Sequence, residues 1–498
     1  MQSKSRFRLT EATLDFGDGN ETPVQLVAND NEASHITLLM GANGTCKSRL
    51  LSSCVDLFYR VEESLGLEND SRRGLRRSDP DASARHCLNA TIERDGNKFE
   101  IGYNRIPNTV ACLPSRTLAI ANLVRDRFPF VDRAIDDASR YYYLGVRQSS
   151  NLTTTGAMDR VAAEAFLGIV HEKAKTATFS NWVRQLFPRS QLGIGFENYS
   201  RDRVSKFRSA PEDWINERYK PLEKPPEFSR RANERFAEAM NEIPSIIKLL
   251  EFLEYAAWKH ESSLGLSSKR TSVTILQPEM MSTGDLETLG ELRRSLHLAM
   301  ALRLIGRPSL MIKTGSWMDF SSLSSGEQNL VATGARLVGY AAPGSFIVID
   351  EPEVSLNVAW QQRYIQLIQD ALVHAQGSHV LIASHSPYLV SDLKAENATI
   401  VVVERRGKDL SFKSQPSKFW GWGSEAILYE VLGLPSASNY LFSRELTSVL
   451  KLIEKGSKDV EPFKRFLEKC AQLDLPADAE PLRMVIEEIR QHYQSLRL

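Results

Sequence analysis

The stretch from Ile36 to Ser48 carries the densest chemistry in the chain. Ile36-Thr37-Leu38-Leu39-Met40 is an apolar run with strand character. It breaks into Gly41-Ala42-Asn43-Gly44-Thr45-Cys46-Lys47-Ser48, and Arg49-Leu50-Leu51 can start a helix. Strand, glycine-bearing turn and helix, in that order, cradle phosphate with backbone N–H groups and the positive end of a helix. In such a P-loop Lys47 reaches the β- and γ-phosphates of ATP and Ser48 ligates Mg²⁺. Gly41, Asn43, Gly44, Thr45, Cys46 and Arg49 complete the expected nucleotide-binding turn. One position departs from the pattern G-x-x-x-x-G-K-[ST]: Cys46 stands where glycine is usual. Its amide remains, so phosphate binding survives if the local φ and ψ suit an L-residue. The expectation is ATP binding with slow turnover.

Three further segments follow in a set order. Leu323-Ser324-Ser325-Gly326-Glu327-Gln328 opens a helix at Asn329. A Ser-Gly pair there is an anion site by the physics of the P-loop, though taken alone it is more often an ordinary N-cap. Phe346-Ile347-Val348-Ile349 ends in Asp350-Glu351-Pro352-Glu353. That places two carboxylates at the C-terminal end of a buried strand, where ligands bind in open α/β sheets. Asp350 is the expected Mg²⁺ partner, and Glu351 is placed to act as the base on an attacking water. Ser355-Leu356-Asn357 lies just beyond. Val380-Leu381-Ile382-Ala383 then ends in Ser384-His385-Ser386, and His385 could touch the γ-phosphate; a lone histidine in this position is more often structural.

These residues need a sheet to hold them. Strand patterns occur at 7–10, 24–27 and 36–40, and a hairpin at 88–103 turns at Asp95-Gly96-Asn97. Further strands fit 116–121 and 141–148. From 156 to 309 helical periodicity dominates, punctuated by prolines, with Leu286 to Ile305 reading as one amphipathic helix. Strands return at 346–349, 380–383 and 399–403, and the alternation predicts a parallel sheet. The fold class is therefore α/β, with 1–155 and 310–414 as two lobes, 156–309 as a helical insertion and 415–498 as a helical tail. The tail stripe Leu446, Val449, Leu450, Ile453 suits its own core or a partner groove.

The chain of 498 residues has 62 Lys+Arg against 62 Asp+Glu, so any nucleic-acid surface must be local. Arg116, Arg147, Arg230, Arg231 and Arg235 are candidates. Residues 67–85 carry Arg72, Arg73, Arg76 and Arg77 and read as a solvated loop or a phosphate-binding patch. Five scattered cysteines have no zinc-ligand spacing and suit a reducing cytoplasm. The first residues lack the apolar core of a signal peptide, and no apolar run spans a bilayer. A cytoplasmic protein is expected.

P-loop, Leu-Ser-Ser-Gly-Glu-Gln, apolar-Asp-Glu, Ser-Leu-Asn and Ala-Ser-His, in this order, resemble the ABC-type ATPase heads of the SMC-like, RecF and OLD branch. The resemblance implies two heads sandwiching two ATPs. Lys47 and Ser48 would then hold phosphate and Mg²⁺, Asp350 the metal through water, Glu351 the base and His385 the switch histidine. Ser324 and Gly326 would meet the γ-phosphate of the other head, with Ser325 and Glu327 beside them in the nucleotide-binding signature. Gln148, after a strand in the right order, would be the metal-side Q-loop glutamine. Pro114–Ile120, Tyr143–Arg147 and Gly421–Leu428 further resemble the ATPase subunits of Septu and retron antiphage systems. That implies a separate HNH nuclease subunit and, in retron versions, a reverse transcriptase with its RNA–DNA hybrid. Nucleic acid would be reached through that complex.

The tail has no HNH or Toprim pattern: after His385 the next histidine is His492, and 405–498 contains no D-x-D. The chain is thus expected to be an ATPase and not itself a nuclease. The alternative is a RecF/SMC-like DNA-binding ATPase of repair, told apart by salt-dependent DNA binding of the lone protein. A transporter ATPase is disfavoured by the long insertion before Ser324 and the lack of membrane-facing sequence.

Overall fold

The computed structural model describes residues 5–14, 21–28, 33–67, 87–102, 105–122, 126–129, 140–146, 157–196, 201–218, 235–259, 263–264, 273–390, 393, 395–406, 409–416, 427, 440–471 and 480–496. Gln148, Arg147, Arg230, Arg231 and the 72–77 arginines lie outside them. The chain divides into two compact units, Met1–Trp422 and Gly423–Leu498.

The first unit is built on three sheets. β1 (Phe7–Leu14), β2 (Thr22–Gln25), β4 (Cys87–Arg94) and β5 (Asn97–Gly102) form an antiparallel sheet in the order β2-β1-β4-β5. The expected hairpin turn is there, with Asp95 and Gly96 both at positive φ. The central sheet adds β3 (His35–Gly41), β6 (Thr117–Ala121), β7 (Tyr141–Tyr143), β13 (Phe346–Asp350), β14 (His379–Ser384), β15 (Ala398–Arg406) and β16 (Asp409–Pro416). Its order is β16-β15-β3-β14-β13-β6-β7, parallel throughout except for the β15–β16 hairpin. β3, β13 and β14 are buried along their whole length. Apolar runs without alternation are what a strand covered on both faces requires.

Parallel pairing sends the C-terminal ends of β3, β13 and β14 to one edge. Met40 is in register with Ser384, and Ala383 with Asp350. The opposite edge is closed by a buried polar cluster. Arg8, fully buried, donates to the carbonyls of Phe7, Gly377 and Ser378. His379 Nδ1 accepts from the Leu9 N–H at 3.1 Å while Nε2 meets Thr37 Oγ1 at 2.9 Å, and His35 Nε2 meets Thr399 Oγ1 at 3.0 Å.

Residues 156–309 are richer than a helical insertion. Helices dominate, as expected, but β8 (Gln191–Phe196), β9 (Ser263–Leu264) and β10 (Val273–Leu276) also lie there. They join β11 (Pro308–Lys313) and β12 (Trp317–Asp319) in an antiparallel sheet, β12-β11-β8-β10-β9. β8 is Gln-Leu-Gly-Ile-Gly-Phe, whose glycines hide its strand character. The expected helix from Leu286 to Ile305 is two, Thr283–Glu291 and Arg293–Ala301, broken at Leu292. The segment is also no separate body. Trp182, in the helix Lys173–Leu186, lies against the Ser325–Tyr340 helix and donates from Nε1 to the Leu330 carbonyl at 3.0 Å. A Cβ on Gly334 would stand 2.5 Å from that indole, so only glycine admits the contact.

The second unit has helices at Tyr440–Glu454, Glu461–Cys470 and Glu480–Ser495. Val449, Phe463, Phe466, Cys470, Ile486 and Ile489 form its core. The unit starts eight residues later than the expected tail, because β16 carries the first unit through Pro416. Val449 packs inward and Leu450 is exposed. No described helix is long and apolar enough to cross a membrane.

Candidate nucleotide site

The P-loop forms where the strand pattern stops. β3 ends at Gly41, the turn runs to Cys46, and the helix Lys47–Ser64 follows. Thr45 is buried and its hydroxyl donates to the Ala42 carbonyl at 2.8 Å, closing the turn. Gly44 has φ +80° and Cys46, the N-cap, has φ 66° and ψ 19°. Cys46 therefore sits in the left-handed region that glycine enters freely and an L-residue enters at a cost of about 1 kcal/mol. No acidic residue occupies the first turn of the helix, so its positive end faces the loop uncompensated. Asn43 is exposed, and Arg405 Nη1 braces the loop through the Gly44 carbonyl at 3.0 Å. The Arg49 carbonyl accepts from Ser52 and Ser53 inside the helix.

Five of the expected residues meet at the sheet edge. Ser48 Oγ donates to Asp350 Oδ1 at 2.9 Å, pairing two hard oxygen donors of the kind Mg²⁺ takes. Lys47 Nζ donates to the carbonyls of Gly41 (3.0 Å) and Ala42 (3.3 Å). The same ammonium lies 2.9 Å from His385 Nε2 and 3.3 Å from Nδ1, while Nε2 lies 2.9 Å from Glu351 Oε1. One tautomer serves both neighbours: Nε2–H donates to Glu351 and Nδ1 accepts from Lys47.

The electrostatics follow from burial. Asp350 is pushed up to about 6 by burial, against the pull of the Ser48 hydroxyl. Burial lowers Lys47, with Glu351, Glu353 and Asp350 opposing. Burial also pushes Glu351 up, but the hydrogen bond from His385 and the nearby Lys47 ammonium outweigh it and hold the carboxyl below its usual range. Glu351 has φ 49° and Ser355 φ 67°, both left-handed. Strained backbone of this kind clusters at functional turns.

The signature segment is built differently. Ser324 N-caps the Ser325–Tyr340 helix in a capping box with Glu327. Gln328 donates to the carbonyls of Ser321 and Leu323, and Asn329 to that of Val354 at 2.9 Å. Gly326 passes so close to the 351–357 turn that a Cβ there would lie 2.5 Å from the Ser355 carbonyl oxygen. Within one chain these residues thus meet the turn after Glu351. Arg116 is engaged elsewhere: it donates to the Tyr340 carbonyl and lies over the Tyr142 ring.

Sequence reading gave no role to Glu353, Ser384 or Gln361. The Glu353 carboxyl accepts from Ser384 Oγ at 2.7 Å and from the His385 N–H at 2.5 Å. Its only sequence signal is a third acid close behind the acidic pair.

Residues 187–391 match the family described as AAA domain, putative AbiEii toxin, Type IV TA system. That segment holds the signature, the acidic pair and His385, and the P-loop lies before it. The chain is 30% identical over 145 residues to the Septu protein PtuA of Bacillus thuringiensis, across 28% of this chain and 34% of that protein. It is 26% identical over 174 residues to the Retron Vc95 probable ATPase of Vibrio cholerae serotype O1 biovar El Tor, across 31% of this chain and 32% of that one. The matched segments span about a third of the length of these curated relatives. Among solved structures, an Smc head bound to the C-winged helix domain of ScpA aligns over 82% of this chain and 98% of its own, at 12% identity and a TM-score of 0.38. Residues 187–391 are thus similar to this AAA domain family, and parts of the chain are similar to the Septu protein PtuA and to the retron probable ATPase.

Proposed function

We propose that this chain is the ATPase subunit of a Septu- or retron-type antiphage complex in the cytoplasm. Two heads pair around ATP and gate a separate HNH nuclease. One observation carries the nucleotide part. Lys47, Ser48, Asp350, Glu351 and His385 come from three segments and meet at one sheet edge within hydrogen-bond distances.

The donor set fits ATP and Mg²⁺. Lys47, the loop amides and the helix end would hold phosphate; Ser48 and Asp350 would hold the metal, with Gln148 proposed as a further ligand. Bound Mg²⁺ supplies charge neutralisation on the phosphates. Glu351, kept ionised by His385 and Lys47, can take a proton from water at Oε1. His385 orients that carboxylate through Nε2–H. Ser324, Ser325, Gly326 and Glu327 are proposed to complete the site of a second head. The relatives named above support the defence setting. An HNH nuclease, and in retron versions a reverse transcriptase with its hybrid, are the partners proposed with it.

The test uses purified full-length protein with Mg-ATP. Wild type should hydrolyse ATP, and Glu351→Gln should bind it, lose turnover by at least about a hundredfold and shift to a dimer in sedimentation. Co-expression with the neighbouring reading frame should recover an HNH subunit. Salt-dependent DNA binding by the lone chain, with no such subunit, would favour the repair alternative.

A further inference from the structure

We infer that Glu353 is the positioning residue of the switch histidine: its carboxyl ties the turn after Asp350 to the end of β14 and so fixes where His385 stands between Lys47 and Glu351. The inference rests on the ATPase reading above.

The geometry is specific. A single oxygen, Glu353 Oε1, takes both the Ser384 hydroxyl and the His385 N–H. Ser384 Oγ in turn accepts from the Ser386 N–H at 2.9 Å, and Ser386 Oγ donates to Gln361 Oε1 at 2.6 Å. Gln361 Nε2 closes the chain on the Leu356 carbonyl at 2.8 Å. The backbone on both sides of His385 is therefore clamped to residues 353–361. The imidazole itself is 29% exposed and, among the described residues, reaches Lys47 and Glu351, so the backbone clamp decides where it points. The same turn receives Asn329 on the Val354 carbonyl and Gly326 against Ser355. Movement of the signature helix thus reaches His385 through Glu353.

The second oxygen makes no bond of its own. Glu353 Oε2 is shut off from solvent and has no donor. Burial pushes this carboxyl up, the His385 N–H opposes, and the charge of Glu351 pushes it further. An amide keeps the acceptor: its oxygen can take the bonds from the Ser384 hydroxyl and the His385 N–H. Alanine leaves the Ser384 hydroxyl and the His385 N–H without this acceptor.

The test measures kcat and ATP affinity on full-length wild type, Glu353→Ala, Glu353→Gln, Ser384→Ala and, as a control, Glu351→Gln. Glu353→Ala should lose about tenfold or more in kcat with ATP affinity within about threefold of wild type, the signature of a role after binding. Glu353→Gln should stay within about threefold of wild-type kcat, and Ser384→Ala should fall between the two. Wild-type kcat in Glu353→Ala, a Gln variant no better than Ala, or loss of ATP affinity in step with kcat each overturns the inference. If the Ala variant does not fold, Gln and Ser384→Ala decide, and wild-type kcat in Ser384→Ala overturns it. A wild type that neither binds nor hydrolyses ATP brings down the ATPase reading itself. Wild-type turnover abolished in Glu351→Gln leaves that reading standing whatever the Glu353 variants do.

Discussion

Lys47 and His385, 338 positions apart in the chain, meet at 2.9 Å between Nζ and Nε2. The contact joins the P-loop to the end of β14 directly. It exists because β3 and β14 are parallel neighbours and release their next residues at the same edge. Lys47→Ala removes the ammonium held on the Gly41 and Ala42 carbonyls. We expect ATP affinity to fall by at least about thirtyfold, roughly 2 kcal/mol by the tenfold-per-1.4 rule. His385→Ala should leave affinity within about threefold and lower kcat instead. Equilibrium binding of a fluorescent ATP analogue, beside phosphate release, separates the two effects.

Cys46 is the residue for which backbone geometry and motif disagree. At φ 66° it bears left-handed strain that glycine would not. Cys46→Gly should relieve about 1 kcal/mol of native strain, against about 0.5–1 kcal/mol for the greater freedom of the unfolded glycine. A near-neutral change in thermal stability is therefore expected. If the thiol-bearing residue slows turnover, the glycine variant hydrolyses ATP faster than wild type at unchanged affinity. Equal or slower turnover ends that idea.

Gly334 and Trp182 interlock the signature helix with the helix before β8. Gly334→Ala drives a methyl into the indole and should destabilise the fold by about 1–3 kcal/mol, as overpacking does. Trp182→Ala removes both the obstructing ring and its bond to the Leu330 carbonyl. In a double-mutant cycle by urea unfolding, the pair should be less destabilised than the sum, because the second change makes room for the first. Strict additivity would mean that the two do not touch.

The His35–His379 cluster predicts loss of stability in acid. Burial pushes His35 down to about 3, with Arg8 and Arg6 adding to it, and His379 lies well below its usual value through burial, His35 and Arg8. Both folded values are depressed, so below the ordinary value of about 6.5 the unfolded chain binds protons that the folded chain does not. Stability is then lost as pH falls from there toward 3. Each histidine contributes a slope of about 1.4 kcal/mol per pH unit inside that window. The mechanism is local: a proton on His379 Nδ1 displaces the bond from the Leu9 N–H. His379→Gln should flatten the fall in melting temperature between pH 6.5 and 5, and an unchanged slope would count against the assignment.

The chemistry-bearing residues were legible because each sits at the end of an apolar run. Ile36–Met40, Phe346–Ile349 and Val380–Ala383 announce buried strands, and the polar residues after them land on one edge once the strands are parallel. The hairpin at Asp95-Gly96 was equally readable from turn chemistry. β8 was not, since Gly193 and Gly195 carry no side chain to betray a strand. Leu292 looked like mid-helix because its apolar spacing continues through the break.

By itself the sequence determined which polar and charged residues stand at the ends of buried strands, because that depends on residue type and on the apolar runs that local patterning reveals. Only the tertiary structure decided that Glu353 holds His385, that Gly326 abuts Ser355, and that Trp182 fills the space left by Gly334. Those pairings depend on side-chain packing between segments distant in sequence, and local periodicity carries no record of which distant side chain will occupy a given space.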